Sequence, residues 1–122
     1  MLVFTIIGTR PEAVKLSPVL NQLKQGGEEI DVHVCVTGQH RDMLDQMLDL
    51  FEIRPDTDLD IMEPGQGLSQ TTSAVFARLD PVLEEIEPDW VLVQGDTTTV
   101  MASAIAAHHR KIKVAHVEAG LR

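Results

Sequence analysis

Short apolar runs rich in β-branched residues alternate along this chain with longer segments that carry leucines at helical spacing. "LVFTII" (2–7) is nearly continuous apolar sequence, the pattern of a strand covered on both faces. "EAVKLSPVLNQLKQGG" (12–27) follows with Leu16, Leu20 and Leu23 on one helical face and Gly26–Gly27 as a stop. Pro18 cannot occupy an undisturbed helix interior, so with Ser17 as a new N-cap the sequence predicts a short first turn, a kink and a restart. "EIDVHVCVTG" (29–38) predicts a second strand and "RDMLDQMLDLF" (41–51) a helix. The stretch 52–67 is rich in loop formers and is expected to hold a short strand at Asp58–Met62. "LSQTTSAVFARLDPVLEEI" (68–86) predicts a long helix bent at Pro81. "DWVLVQG" (89–95), "TTTVMASAIAAHHR" (97–110) and "KVAHVEAG" (113–120) predict strand, helix and strand.

Strands that alternate with helices in this way imply the α/β class: a Rossmann-like, doubly wound parallel sheet with helices on both faces. The 122 residues suit one domain with a substantial core, and no repeat, low-complexity tract or linker divides them. Ten basic residues against 19 acidic ones leave a net charge of −9. That balance argues against nucleic acid or an anionic membrane as a partner, since both need an excess of Lys and Arg. An anionic ligand would have to be captured by local positive charge. No apolar run approaches the roughly 20 residues of a membrane span. The single cysteine, Cys35, excludes an internal disulfide and fits a reducing compartment. "MLVFTIIG" lacks the basic start and small-residue cleavage site of a signal peptide, so a cytoplasmic location is expected.

In doubly wound sheets ligands sit outside the carboxyl ends of the strands, where strand order reverses. The polar residues at those ends are Gly8-Thr9-Arg10-Pro11-Glu12, Gly95-Asp96-Thr97 and His116-Val117-Glu118. Three adjacent ends would gather Arg10, Lys15, Asp96, His116 and Glu118 around one crevice. Arg10 and Lys15 are unfavourable beside the positive end of a helix dipole unless an anion is held there. Thr9 and Glu12, three apart, fit a capping box that needs no ligand. Asp96 reads equally as an N-cap or turn residue, and Glu118 either as a partly desolvated carboxylate or as a solvated loop residue. His116 reads as a hydrogen-bonded core histidine, Cys35 as sheet packing, and His108, His109 and Arg110 as a basic helix end. Neither G-x-G-x-x-G nor the P-loop pattern occurs, and no Cys/His spacing suggests zinc and no loop calcium.

Five segments in order, "GTRPEA", "TGQHRDMLDQ", "DLDIMEPGQGL", "GDTTT" and "HVEAGLR", resemble the amino-terminal part of the UDP-N-acetylglucosamine 2-epimerases of the bacterial non-hydrolysing type. The resemblance implies half of a two-domain, GT-B-like fold with the active site in the cleft between domains. It places Arg10 and Lys15 at the UDP phosphates and cleft, and Asp96 and Glu118 where the family keeps two essential carboxylates. The implied reaction interconverts UDP-GlcNAc and UDP-ManNAc by anti elimination of UDP to 2-acetamidoglucal and re-addition on the other face. It needs no cofactor and no metal. Gln39, His40 and Gln66 fall in stretches that resemble the family's second, regulatory UDP-GlcNAc site, although Asp42 stands where Glu or Gln is usual and Gly65 where some members carry arginine. Family members are about three times longer. Residues 1–122 are therefore expected to be an incomplete amino-terminal domain, inactive alone, whose second nucleotide-binding domain is absent and whose complete form is a homodimer serving amino-sugar and cell-surface polysaccharide synthesis. A hydrolysing epimerase releasing UDP and ManNAc is the nearest alternative. From another class, an acidic phospho-receiver domain would need an acidic pair where Gly8-Thr9-Arg10 stands; a silent binding domain remains compatible with the length.

Overall fold

The computed structural model describes residues 1–38 and 41–118, without the side chains of residues 41–44. Five strands and four α-helices alternate: β1 (Leu2–Ile7), α1 (Arg10–Lys24), β2 (Asp31–Val36), α2 (Arg41–Leu50), β3 (Thr57–Asp58), α3 (Leu68–Ile86), β4 (Trp90–Gln94), α4 (Thr98–His109) and β5 (Lys113–Val117). The strands form one sheet in the order β3-β2-β1-β4-β5, with every described pairing parallel. The chain thus builds outward from β1 in one direction, then returns to its other side.

Period-two alternation in the strands feeds a separate core on each face of the sheet. Val3, Ile7, Val34, Val36 and Leu92 face one way, against Ala13, Leu16 and Leu20 of α1 and Leu48 of α2. Phe4, Ile6, Cys35, Val91 and Val93 face the other, against Val75, Leu79 and Leu83 of α3 and Val100, Ala102 and Ala106 of α4. The central strand β1 is buried from Val3 to Ile7, as its unbroken apolar run predicts. Phe4 also stacks on His33, with ring centroids 4.9 Å apart, and His33 Nε2 lies 2.7 Å from the Thr57 hydroxyl, which ties β2 to the short edge strand.

Several local expectations change. α1 runs unbroken through Pro18. Pro18 has no N–H for the Val14 carbonyl, and the Ser17 hydroxyl donates to that carbonyl instead at 3.3 Å. Ser17 therefore repairs the helix where it was expected to restart it. α3, by contrast, is the expected long helix, running through Pro81 from Leu68 to Ile86. The short strand covers Thr57–Asp58 only. Arg110 caps α4 and also crosses to α3, where its Nε and Nη2 donate to the Asp80 carboxylate at 2.5 and 2.9 Å. His116 sits in the last strand of the sheet with its side chain exposed, so it is no core residue.

Two outcomes follow from this packing. Phe4→Ala removes a fully buried ring from the central strand and should cost roughly 3–5 kcal/mol, read as a fall in the urea midpoint. The Cys35 thiol is pushed up to about 12 from an ordinary value of 9.0, chiefly by burial and secondarily by Asp58. A raised folded value means that this contribution to stability is intact below pH 9.0 and is lost as pH climbs toward 12. The native thiol should thus be inert to aromatic disulfide reagents at about pH 8. At about pH 10.5, wild type should have lost on the order of 2 kcal/mol more stability than Cys35→Ala.

Candidate functional site

The registers Thr5↔Leu92 and Gln94↔Val117 bring the carboxyl ends of β1, β4 and β5 level at one edge of the sheet. Strand order reverses between β1 and β4 at this edge, since β1 pairs with β2 on its other side. The three polar strand ends are thereby brought to one crevice, as the alternation of elements implied.

On the β1 side, Thr9 is the N-cap of α1, but its hydroxyl donates to the Glu12 carboxylate and caps no backbone N–H. Only half of the expected capping box therefore forms. Arg10 is exposed in the first turn, with no ion-pair partner among the described residues. Lys15, one turn further on, reaches across to the end of β5. Its ammonium lies 2.6 and 2.7 Å from the two carboxylate oxygens of Glu118. The partners are separated by 103 residues in sequence. With side chains 46% and 24% exposed, the pair belongs to the solvent-screened class that contributes only about 0.2–1 kcal/mol. Its significance lies in placing one cation and one carboxylate together at the crevice.

On the β4 side, Gly95 has φ +87, a left-handed conformation that strains any residue with a Cβ, and its N–H donates to the Val117 carbonyl at 3.0 Å. The turn that follows leaves Asp96 exposed. Thr97 is the N-cap of α4, its hydroxyl oxygen accepting from the Val100 N–H at 3.3 Å. Asp96 is thus a turn residue, relieved of the capping role by its neighbour. His116 donates from Nε2 to the Gly95 carbonyl, which fixes the imidazole tautomer and pins β5 to this turn. Glu118 has φ +62. A side chain in the left-handed region costs energy that helix closure repays at Glu52, Glu87 and Lys111, each just beyond a helix. Glu118, like Asp60 at φ +49, closes no helix, and its carboxylate meets the Lys15 ammonium.

Gly95, Asp96, Thr97, Val100, Met101, His116 and Glu118 line a cavity of about 180 Å³. Pockets for drug-sized ligands run to roughly 300–1,000 Å³, so this wall encloses a fragment of such a ligand and leaves the rest open. A larger cavity of about 740 Å³ lies between α3 and α4, lined by Phe76, Ala77, Asp80, His109 and Arg110 among others. It sits toward the carboxyl end of α4, with Ala106 roughly 9 Å along that helix from Val100 of the crevice, and its Asp80–Arg110 charges satisfy each other. The smaller cavity is the one at the convergent strand ends.

Arg10, Lys15, Asp96 and Glu118, all named from the sequence, are thus assembled at one edge. Gln66 does not line that cavity; it stands in the turn before α3, where its N–H donates to the Glu63 carbonyl at 3.3 Å. Gln39 and His40 lie outside the described residues. Thr97, placed at a strand end by the sequence, lines the cavity, whereas Met101 was passed over. Nothing in the local pattern marks Met101. Among the described residues no group of His, Cys, Asp and Glu could hold a metal ion, and no helix is long and apolar enough to cross a membrane.

Comparison with known proteins places this geometry in a family. A family model described as UDP-N-acetylglucosamine 2-epimerase matches residues 22–122. UDP-N-acetylglucosamine 2-epimerases of Yersinia pestis and Escherichia coli (strain K12) are 55% and 53% identical over 122 residues, which is 100% of this chain and 32% of each relative. The crystal structure of a Neisseria meningitidis UDP-GlcNAc 2-epimerase bound to UDP-GlcNAc is similar at a TM-score of 0.92 and 53% identity, over 100% of this chain and 33% of that one. The Methanocaldococcus jannaschii UDP-GlcNAc 2-epimerase in complex with UDP-GlcNAc and UDP gives a TM-score of 0.92 at 39% identity, over 100% of this chain and 33% of its own. The chain spans about a third of the length of the relatives it matches. With a family model matched over residues 22–122 and relatives matched over the whole chain at this identity, the chain belongs to the UDP-N-acetylglucosamine 2-epimerase family.

Proposed function

We propose that these residues form one wall of the active site of a non-hydrolysing UDP-GlcNAc 2-epimerase, whose full-length form interconverts UDP-GlcNAc and UDP-ManNAc. The observation that carries this reading is the convergence of Arg10, Lys15, Asp96 and Glu118 at the carboxyl edge of the sheet, where order reverses between β1 and β4. The open cavity of about 180 Å³ supports a second wall supplied by a further nucleotide-binding domain, in a two-domain GT-B-like arrangement. The relatives, about three times longer, leave room for it.

Inversion at C2 by elimination asks for three things. A base takes the C2 proton, the C1–O bond breaks with its electron pair leaving on the UDP phosphate oxygen, and a proton returns to C2 on the opposite face as UDP adds back. Asp96 and Glu118 are the carboxylates suited to the proton steps, and Arg10 and Lys15 the cations suited to the leaving diphosphate. Lys15 is held on Glu118. A diphosphate entering beside Arg10 competes for that ammonium, and its arrival releases the Glu118 carboxylate for the sugar. The elimination and addition balance without any net redox change, so the reaction needs no nicotinamide. A regulatory UDP-GlcNAc contact at Gln39, His40 and Gln66, a homodimer, a cytoplasmic location and a role in cell-surface polysaccharide synthesis belong to the same reading.

Two measurements test it. In the full-length protein, Arg10→Ala should weaken UDP binding by roughly 1.5–3 kcal/mol, as expected for a charge-assisted contact. Asp96→Asn and Glu118→Gln should leave calorimetric UDP affinity nearly intact while suppressing C2 deuterium exchange in heavy water. Native exchange rates in both carboxylate variants would sink the assignment. Residues 1–122 alone should give no interconversion of the two UDP-sugars, scored by NMR of the anomeric region; turnover by the purified chain would show that one wall suffices.

A further inference from the structure

One buried carboxylate at the crevice has no part in this chemistry. Glu12, in the first turn of α1, is only 2% exposed. Its Oε1 accepts from the Gly8 N–H at 3.4 Å and its Oε2 from the Thr9 hydroxyl, with the Thr9 N–H also directed at the carboxylate. These groups form the turn between β1 and α1, at the positive end of a 15-residue helix. That is where doubly wound folds commonly seat a phosphate on backbone N–H groups. A solvent-exposed cap would satisfy the same donors at little desolvation cost. Burying a carboxylate there is expensive even with partners, and burial still pushes the Glu12 carboxyl above its ordinary value against the pull of its hydrogen bonds. The expense is intelligible if the anion at this helix end must be fixed and internal.

We propose that Glu12 is a positioning residue, a built-in anion that fills the positive end of α1, fixes the Gly8–Arg10 turn and leaves the ligand's phosphates to the Arg10 side chain. This rests on reading the crevice as a UDP-sugar site. It departs from the usual use of such helix ends, because the Gly8 and Thr9 N–H groups of the β1–α1 turn are already directed at the protein's own carboxylate. Arg10, two residues before Glu12, is aimed by a turn that Glu12 holds from beneath.

A double-mutant cycle in the full-length protein tests this, with UDP affinity read by calorimetry. Arg10→Ala should cost roughly tenfold or more in the wild-type background but less than about threefold in Glu12→Ala, where the turn no longer aims the guanidinium. Glu12→Gln keeps an oxygen for the Gly8 N–H but removes the charge, and should restore only part of the cost of Arg10→Ala. Equal costs in the wild-type and Glu12→Ala backgrounds would show Glu12 to be a structural cap and overturn the proposal. If Glu12→Ala does not fold, Thr9→Val, which removes one of the donors, takes its place in the cycle: reduced cost supports the proposal and additivity overturns it. Failure of the wild-type protein to bind UDP would instead overturn the reading of the crevice, and this proposal with it.

Discussion

Parallel pairing of β1 on both of its edges is the constraint on which the rest of the molecule depends. A strand flanked by β2 and β4 and buried from Val3 to Ile7 has no solvent-facing side. Parallel neighbours cannot be joined by tight turns, so each step needs a helical crossover, and helices must cover both faces. The chain therefore spends α1 and α2 on one face and α3 and α4 on the other. Because β2 and β4 leave β1 in opposite directions, no crossover bridges the carboxyl edge between β1 and β4. The crevice is a by-product of that topology, and the polar strand ends fall into it whatever their chemistry.

What those ends carry makes the crevice more than a gap. The chain is acidic overall, at −9, yet the charges at this edge are either answered locally or exposed. Glu12 meets the positive end of α1, and Glu118 meets Lys15. Arg10 and Asp96 remain exposed, one on each side of the strand-order reversal. An ion pair as exposed as Lys15–Glu118 contributes too little to account for a strained left-handed glutamate on stability grounds.

The local course of the chain was largely legible. β1 and α3 begin and end where periodicity placed them, and the other helices and strands differ mainly at their ends, where caps decide. Misreadings came where one side chain could serve two backbones. Ser17 was a plausible N-cap after a break, but its hydroxyl also reaches the Val14 carbonyl that Pro18 leaves unpaired, and one continuous helix keeps Leu16 and Leu20 in the same core. Thr97 and Asp96 are both good N-caps, and only the backbone path after Gly95 selects Thr97. His116 looked internal because it alternates with apolar residues, a pattern that cannot tell a central strand from the one that ends the sheet.

By itself the sequence determined the element types, the parallel α/β class, which residues stand at strand ends and, through five motifs in order, the family. These depend on periods of two and 3.6 residues and on short contiguous patterns, all local in the chain. Only the tertiary structure decided that Lys15 closes on Glu118 across 103 residues, that Arg110 reaches from the end of α4 to Asp80, and that Glu12 is sealed beneath its own turn. Those outcomes depend on register and on what packs above each side chain. Neither is encoded at any single position, because a contact's partner is chosen by the geometry of the whole sheet.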